Sequence, residues 1–326
     1  MTQKLLITGG AGFIGSVLTA YLLDHGYEVV VVDDLSTGHS KRLDSRASLI
    51  QASILEKSAL VEALVGVNTI IHCAAKSLVE ESVSSPEIYS QVNTEGTRVL
   101  LEAMKEAGVS NIVFSSTAAV YGDSKIQPIT ESSEINPVNP YGKSKIGAER
   151  LISTFCSNGL AGITFRYFNV AGSYQSSISQ LHIEDHKNET HLIPKILKNY
   201  IKNMEKTQVE IYGDSWPTKD GSCVRDYLHV IDLAHAHLLA LDALKVGRNQ
   251  VFNLGSGSGY SVFEVVSEIE KVVGNKLNQV ISPARSGDPA VLLADIDKAR
   301  KELGWIPKAN LNQIILDSWQ GAKRLG

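Results

Sequence analysis

Short apolar runs rich in β-branched residues recur through the first half of the chain, separated by segments whose apolar positions repeat every three or four residues. Residues 5–8, 28–32, 69–72, 111–115 and 162–166 are nearly continuous in apolar character, which predicts strands buried on both faces. Segments 14–25, 60–64, 88–107 and 141–158 show helical spacing, and Gly26, Gly108 and Gly159 fall where helix C-caps would end them. Strand–helix alternation of this kind predicts an α/β protein built on a parallel, doubly wound (Rossmann) sheet.

The alternation breaks after Asn169. Residues 173–189 are polar, rich in Ser and His and without a period, so they read as a long loop, a feature usually tied to function. A helix over 193–202, a strand over 209–212 and a turn-rich stretch over 213–222 follow. Segments 228–244 and 251–254 return to the first layer, and helices over 262–273 and nearer the C-terminus complete a smaller, partly discontinuous α/β domain. The predicted division is 1–170 plus 229–255 for the sheet domain and 171–228 plus 256–326 for the smaller one. There is no internal repeat or low-complexity tract.

At 326 residues, with 43% hydrophobic and 20% charged residues, the composition is that of a folded chain rather than a disordered one. The net charge of −4 removes any general electrostatic case for nucleic-acid or anionic-membrane partners. Cys73, Cys156 and Cys223 form no C-x-x-C pair, which argues against a disulfide scaffold or thiolate zinc site and for reduced thiols. The apolar run at 5–8 is too short for a signal-peptide core, and no stretch could span a bilayer. The expectation is a soluble, cytoplasmic protein.

The first strand runs into Thr8-Gly9-Gly10-Ala11-Gly12-Phe13-Ile14-Gly15, readable as G-x-x-G-x-x-G from Gly9 or G-x-G-x-x-G from Gly10. A glycine turn between strand and helix lets the backbone approach a pyrophosphate at the helix N-terminus. The second strand ends at Asp33-Asp34. A carboxylate at Asp33 suits ribose hydroxyls and repels a 2′-phosphate, favouring NAD over NADP. Lys41 and Arg42 are the nearby cations that keep NADP as an alternative.

Two Tyr-x-x-x-Lys spacings occur, Tyr121…Lys125 and Tyr141…Lys145. The first lies in a stretch without helical pattern. Tyr141 opens a helix after Asn139-Pro140, so Lys145 lies one turn on, on the same face. A tyrosine acting as a base near neutral pH needs its pKa lowered by roughly 3 units, about 4 kcal/mol. A lysine ammonium and a positive nicotinamide ring would both favour the phenolate. Thr117, just past a strand end, could hydrogen-bond the same substrate hydroxyl.

These residues resemble the extended short-chain dehydrogenase/reductases, and the whole chain resembles their UDP-glucose 4-epimerase family. The resemblance is carried by residues 9–16, 33–39 and 115–122, by Ser82-Val83…Pro86…Tyr89…Asn93…Gly96-Thr97, by Tyr141–Lys145 and by Arg166-Tyr167-Phe168-Asn169. Residues 191–194, 216–230 and Arg285…Gly287-Asp288 extend it to the C-terminal part. It implies that Tyr141 takes the proton from the sugar O4 while hydride leaves C4, that the 4-keto sugar rotates, and that hydride returns to its other face. Lys145 would tune Tyr141 and hold the nicotinamide ribose, with Thr117 completing the triad. Around NAD it places Gly9, Gly12, Phe13, Ile14, Gly15, Asp33 and Asp34, then Ser53, Ile54, Cys73, Ala74 and Ala75, then Asn93, Ser115, Tyr141, Lys145 and Tyr167. Around the UDP-sugar it places Thr117, Tyr141, Asn169, His191, Leu192 and Tyr212, with Arg225, Arg285, Asp288 and Leu292. It also implies a homodimer through paired helices of the first domain.

Three departures from the family pattern stand out. Gly-Asp-Ile after the third strand is here Ala52-Ser53-Ile54, which weakens an adenine contact. His-Phe-Ala-Gly-Leu-Lys appears as His72-Cys73-Ala74-Ala75-Lys76-Ser77, with Ser77 rather than Lys76 in the lysine position. Leu292 stands where some strict glucose/galactose epimerases carry a tyrosine, leaving room for a 2-N-acetyl group. A 4,6-dehydratase would need carboxylates after Thr117, where this chain has Ala118-Ala119. Uronate epimerases and decarboxylases are harder to separate, whereas a non-catalytic NAD sensor would be expected to lose the Tyr/Lys pair. His182, His186 and His191 suggest a metal, but their segment has no helical frame, so no metal is expected. His235 and His237 point in different directions and read as packing or surface residues. The glycines of 255–259 form a turn without a P-loop lysine.

Overall fold

The apolar runs of the first half become strands separated by helices in the computed structural model, which describes residues 3–186, 189–285 and 288–324. In chain order these are β1 (Lys4–Thr8), α1 (Phe13–Asp24), β2 (Glu28–Asp33), β3 (Ser48–Gln51), α2 (Lys57–Ala63) and β4 (Thr69–His72). There follow α3 (Val79–Ser84), α4 (Pro86–Tyr89), α5 (Gly96–Ala107), β5 (Asn111–Thr117), α6 (Pro140–Cys156), β6 (Ala161–Tyr167) and β7 (Asn169–Ala171). The remainder comprises β8 (Ser173–Gln175), β9 (Leu181–Ile183), α7 (Leu192–Asn203), β10 (Gln208–Tyr212), β11 (Val224–His229), α8 (Val230–Ala243) and β12 (Asn249–Leu254). It ends with β13 (Gly259–Ser261), α9 (Val262–Val273), β14 (Asn278–Ser282), β15 (Val291–Leu292), α10 (Asp297–Leu303) and α11 (Leu311–Lys323).

Seven strands form one sheet in the order β12-β6-β5-β4-β1-β2-β3, all pairs parallel. Leu5 and Ile7 pack into one apolar cluster with α1 and α8, while Leu6 between them packs into another with α2, α5 and α6. All three are fully buried, as a doubly covered parallel strand requires. β2 lies on one side of β1 and β4 on the other, so the strand order reverses there and a crevice opens beyond their C-terminal ends.

The predicted helix over 88–107 contains a π-helical turn at Ser90–Glu95, where the Thr97 hydroxyl donates to the Asn93 carbonyl at 2.6 Å. β3 escapes the sequence pattern because its residues are largely exposed and carry no apolar run. The segment predicted as a loop over 173–189 instead contains the antiparallel pair β8–β9, whose three-residue strands are too short to show a period. The first lobe's Asp24 holds it, accepting from the Tyr174 hydroxyl at 2.5 Å and the Ser177 amide at 2.9 Å. β11 is a further strand missed in the sequence, since Val224–His229 mixes charged and apolar residues and runs straight into α8. It pairs with β13, β15 and β7. β10 and β14 pair in parallel, and α7, α9 and α11 close a third core around Ile196, Leu197, Val265, Ile269, Ile314 and Ile315.

Candidate active site

A cleft of about 480 Å³ opens at the crevice beside β1 and β4 and extends to β11 and β15. Its floor is the glycine turn. Gly9 has φ +71°, and a Cβ there would lie 2.6 Å from the Ala74 amide nitrogen. A Cβ on Gly15 would lie 2.1 Å from the Gly9 carbonyl oxygen, so only glycine lets the first turn of α1 press onto the loop. α1 has no side-chain N-cap, which leaves its first amides for an anion in the cleft. Asp33 closes the far side, accepting from the amides of Ala11 at 2.9 Å and Leu35 at 2.8 Å. Burial pushes its carboxyl up and these two bonds pull it back. Arg42, one of the two cations that keep NADP as an alternative, is held by Asp185 through its carbonyl at 2.6 Å and carboxylate at 3.0 Å. A glycine cradle, open helix amides and a carboxylate past β2 fit a dinucleotide with unmodified ribose.

Asn139 caps α6, its side chain accepting from the Gly142 amide at 2.8 Å, and Pro140 opens the helix. Tyr141 is thereby set in the cleft wall, with its hydroxyl against that of Thr117 at the end of β5. Burial pushes the phenol up to about 12, and the Thr117 contact lowers it against that trend. Lys145, one turn on, is buried and donates to the Ser115 carbonyl at 2.7 Å. Burial draws its ammonium down to about 8, opposed by Cys73 and Glu149.

The other Tyr-x-x-x-Lys pair falls apart in space. Tyr121 is buried and donates to Asn253 Oδ1 at 2.6 Å, while Lys125 is exposed and pairs with Asp123. Tyr121 belongs to a buried polar network that sequence spacing did not suggest. Arg166 donates to Glu149 from Nη2 at 2.6 Å and from Nε at 3.1 and 3.2 Å, and to the Tyr121 hydroxyl at 3.0 Å. Ser116 also donates to Glu149. This network ties α6, the helix carrying Tyr141 and Lys145, to β5 and β6.

Gly9, Gly12, Phe13, Ile14, Gly15, Asp33, Asp34, Ser53, Ile54, Cys73, Ala74, Ala75 and Tyr167 all line the cleft. On its other side so do Thr117, Asn169, His191, Arg225, Asp288 and Leu292. Arg225 donates to the carbonyls of Val224 at 2.9 Å and Pro289 at 2.7 Å, which aims its fork, and pairs opposite Leu292 across β11–β15. Lys76 and Ser77 both reach the cleft.

Other expected residues stand back from it. Asn93 is buried behind the wall, donating to the Lys76 carbonyl and the Ser144 hydroxyl at 2.9 Å and accepting from the Lys76 amide at 2.8 Å, so it braces the segment after β4. Ser115 lies behind Cys73, 3.2 Å from its sulfur. Leu192, Tyr212 and Arg285 do not line the cleft; the Arg285 guanidinium stacks on the Tyr212 ring at 3.8 Å. Gly287 lies outside the described residues. Glu184 and His186, which were not expected, line the cleft beside His191.

A family described as "NAD dependent epimerase/dehydratase family" matches residues 5–255. The UDP-glucose 4-epimerase of Corynebacterium glutamicum is 44% identical, over 99% of this chain and 97% of its own. A crystal structure of UDP-glucose-4-epimerase from Stenotrophomonas maltophila, with bound NAD and formylated UDP-arabinopyranose, superposes with a TM-score of 0.93 at 33% identity, covering 99% of this chain and 98% of that one. The Bifidobacterium longum UDP-glucose 4-epimerase, in complex with NAD+ and UDP, superposes with a TM-score of 0.91 at 34% identity, over 99% of this chain and 98% of that one.

Proposed function

Because the chain belongs to the NAD dependent epimerase/dehydratase family, we propose that it interconverts UDP-glucose and UDP-galactose by inverting C4 of the sugar. The observation that carries this is one cleft lined by the glycine cradle, by Tyr141 with Thr117 and Lys145, and by Arg225 with Asp288. When bound, NAD supplies the site that takes hydride from the sugar and returns it, so the reaction has no net redox change. Tyr141 removes the O4 proton and gives it back. Thr117 holds the same hydroxyl, and Lys145 stabilises the phenolate and binds ribose. Asp33 accepts from the adenosine ribose, and Arg225 offers charge-assisted donors to the diphosphate. Asn169, His191 and Asp288, which line the cleft, complete the UDP side by family resemblance, which also assigns to it Leu192, Tyr212 and Arg285 from behind the cleft wall.

Ala118 and Ala119 line the cleft directly after Thr117, which favours epimerisation over dehydration, a reaction needing carboxylates there. Leu292 favours a second activity on UDP-N-acetylhexosamines, since its side chain leaves more room beside Arg225 than a tyrosine would. The division into 1–170 plus 229–255 for NAD and 171–228 plus 256–326 for the UDP-sugar is supported by the seven-stranded sheet and the third core, except that Ala294, Ile296, Ala299 and Trp305 pack into the sheet domain's cluster. A homodimer through first-domain helices is supported by exposed Val83 and Ile88 on α3 and α4, which pack beside α6. A cytoplasmic location accords with the free cysteines. No helix among the described residues is long and apolar enough to cross a membrane.

The test is incubation with UDP-glucose, and separately with UDP-N-acetylglucosamine, without and then with added NAD, followed by NMR of the sugars. UDP-galactose is the expected product. No epimer of either sugar, even with NAD supplied, would overturn the assignment.

A further inference from the structure

The chain contains two Glu-x-His triplets in succession, Glu184-Asp185-His186 and Glu189-Thr190-His191. Side chains two apart in extended backbone share a face, so each triplet can present one carboxylate and one imidazole together. The fold brings the two sets together, with one ligand-capable atom from each of the four residues all within 4.8 Å of one another. His186 Nδ1 is 3.4 Å from Glu184 and 3.2 Å from Glu189, and His191 Nδ1 is 2.8 Å from Glu184 and 2.9 Å from Glu189. Four tetrahedral donors around a metal at 2.0–2.1 Å would be spaced about 3.3–3.4 Å apart. To reach that spacing the His191 pairs at 2.8 and 2.9 Å open slightly, the widest pair, at up to 4.8 Å, closes, and one of the two Glu189 oxygens takes the ligand role.

The carboxylates are not solvated surface groups. The Glu184 and Glu189 side chains are only 7% and 5% exposed. Glu184 Oε2 is buried without a hydrogen-bond partner among the described residues, an arrangement proteins normally avoid. The absence of a helical frame, which spoke against a metal in the sequence, is made good by other supports. Glu184 directly follows β9, His191 directly precedes α7, and Asp185 is fixed by Arg42 and by Lys198 at 2.9 Å.

We infer that Glu184, His186, Glu189 and His191 form a binding site for a divalent d-block cation, zinc by its donor set. Two imidazoles select against magnesium and calcium, and four protein ligands make a closed, structural site rather than a catalytic one. The cation neutralises both carboxylates and clamps the β9–α7 connection along the cleft wall.

The experiment uses the full-length, tag-free protein, stripped with a chelator and titrated separately with Zn²⁺ and Co²⁺. One equivalent of zinc retained through gel filtration, a zinc-dependent rise in Tm and the intense visible bands of tetrahedral cobalt are expected. His186→Ala and Glu189→Gln should each abolish stoichiometric uptake. Zinc content no higher than the buffer's, a pale octahedral cobalt spectrum, or uptake that survives both substitutions would overturn the site. The wild-type titration decides alone where a variant does not fold.

Discussion

The Glu149–Arg166 pair yields an energetic prediction that can be worked through. The two side chains are 6% and 7% exposed, and three nitrogen–oxygen contacts between 2.6 and 3.2 Å join them. Charges so far from water are stabilised by each other, and removing one strands its partner at a cost of about 3–5 kcal/mol. Glu149→Met and Arg166→Met should each lose that much. The double variant strands no charge. It deprives Ser116 of its acceptor, about 1–3 kcal/mol, while Tyr121 keeps its bond to Asn253. The singles thus sum to roughly 6–10 kcal/mol and the double to roughly 1–3, a coupling of at least ~3 kcal/mol. Urea unfolding of the four proteins near neutral pH measures all these terms. Domains of this kind have only about 5–15 kcal/mol to lose, so each single variant should shift the midpoint visibly. Singles that cost under ~1 kcal/mol, or a double equal to their sum, would refute the reasoning.

Gly15→Ala places a methyl 2.1 Å from the Gly9 carbonyl oxygen, forcing the turn open. Calorimetry should show NAD binding weakened by ~10-fold or more, in line with an overpacking cost of about 1–3 kcal/mol. His72, between the hydroxyls of Thr8 at 2.7 Å and Thr97 at 3.0 Å, is drawn down to about 3 by burial, assisted by Lys145. The folded value lies below the unfolded one, so its contribution is intact above about pH 6.5 and is lost as pH falls toward 3, at ~1.4 kcal/mol per unit. His72→Gln should flatten the stability–pH slope between about pH 6 and 4 by one proton, whatever its effect at neutral pH, as equilibrium denaturation would show. Tyr141→Phe should lower kcat by about 10²–10⁴, whereas Tyr121→Phe should cost ~1–3 kcal/mol of stability and little rate; steady-state kinetics on both variants separates the roles.

The sheet was legible because strands buried on both faces carry continuous apolar runs, as in 5–8 and 111–115. β3, β8, β9 and β11 were not, because short or one-sided strands are selected by tertiary pairing rather than by a run of their own. The NAD side of the site follows chain-local motifs, and Gly9, Gly15 and Asp33 meet in the cleft as their spacing implied. Helix placement alone separates Tyr121…Lys125 from Tyr141…Lys145, and the dispersal of the former in space has a cause in the pull of Arg166 and Asn253 on Tyr121. Glu149 left no motif because its partner lies on β6, and pairing across elements has no signature in a single sequence. Glu184 and His186 did have one, the doubled Glu-x-His, which became meaningful only once β9 and α7 fixed its ends.

The values of Tyr141 and Lys145 determine how their roles can be divided. With the phenol at about 12 and the ammonium at about 8, the free protein holds no ready base near neutrality. Bringing Tyr141 from about 12 to near 7 takes roughly 7 kcal/mol. A unit positive charge about 4 Å away in a partly polar interior contributes ~4 kcal/mol, or about three pKa units. One cation is too few and two suffice. The ammonium of Lys145, which Cys73 and Glu149 support against burial, is one once it turns from the Ser115 carbonyl to the phenolate one helical turn away; the positive nicotinamide ring is the other. Lys145→Met in the NAD-loaded protein should therefore move the apparent pKa of kcat upward by about three units, with the rate recovering at high pH rather than being lost at every pH. An unchanged pKa with a uniformly lower plateau would show that Lys145 acts only by holding ribose and Tyr141 in place, and that the second charge comes from elsewhere.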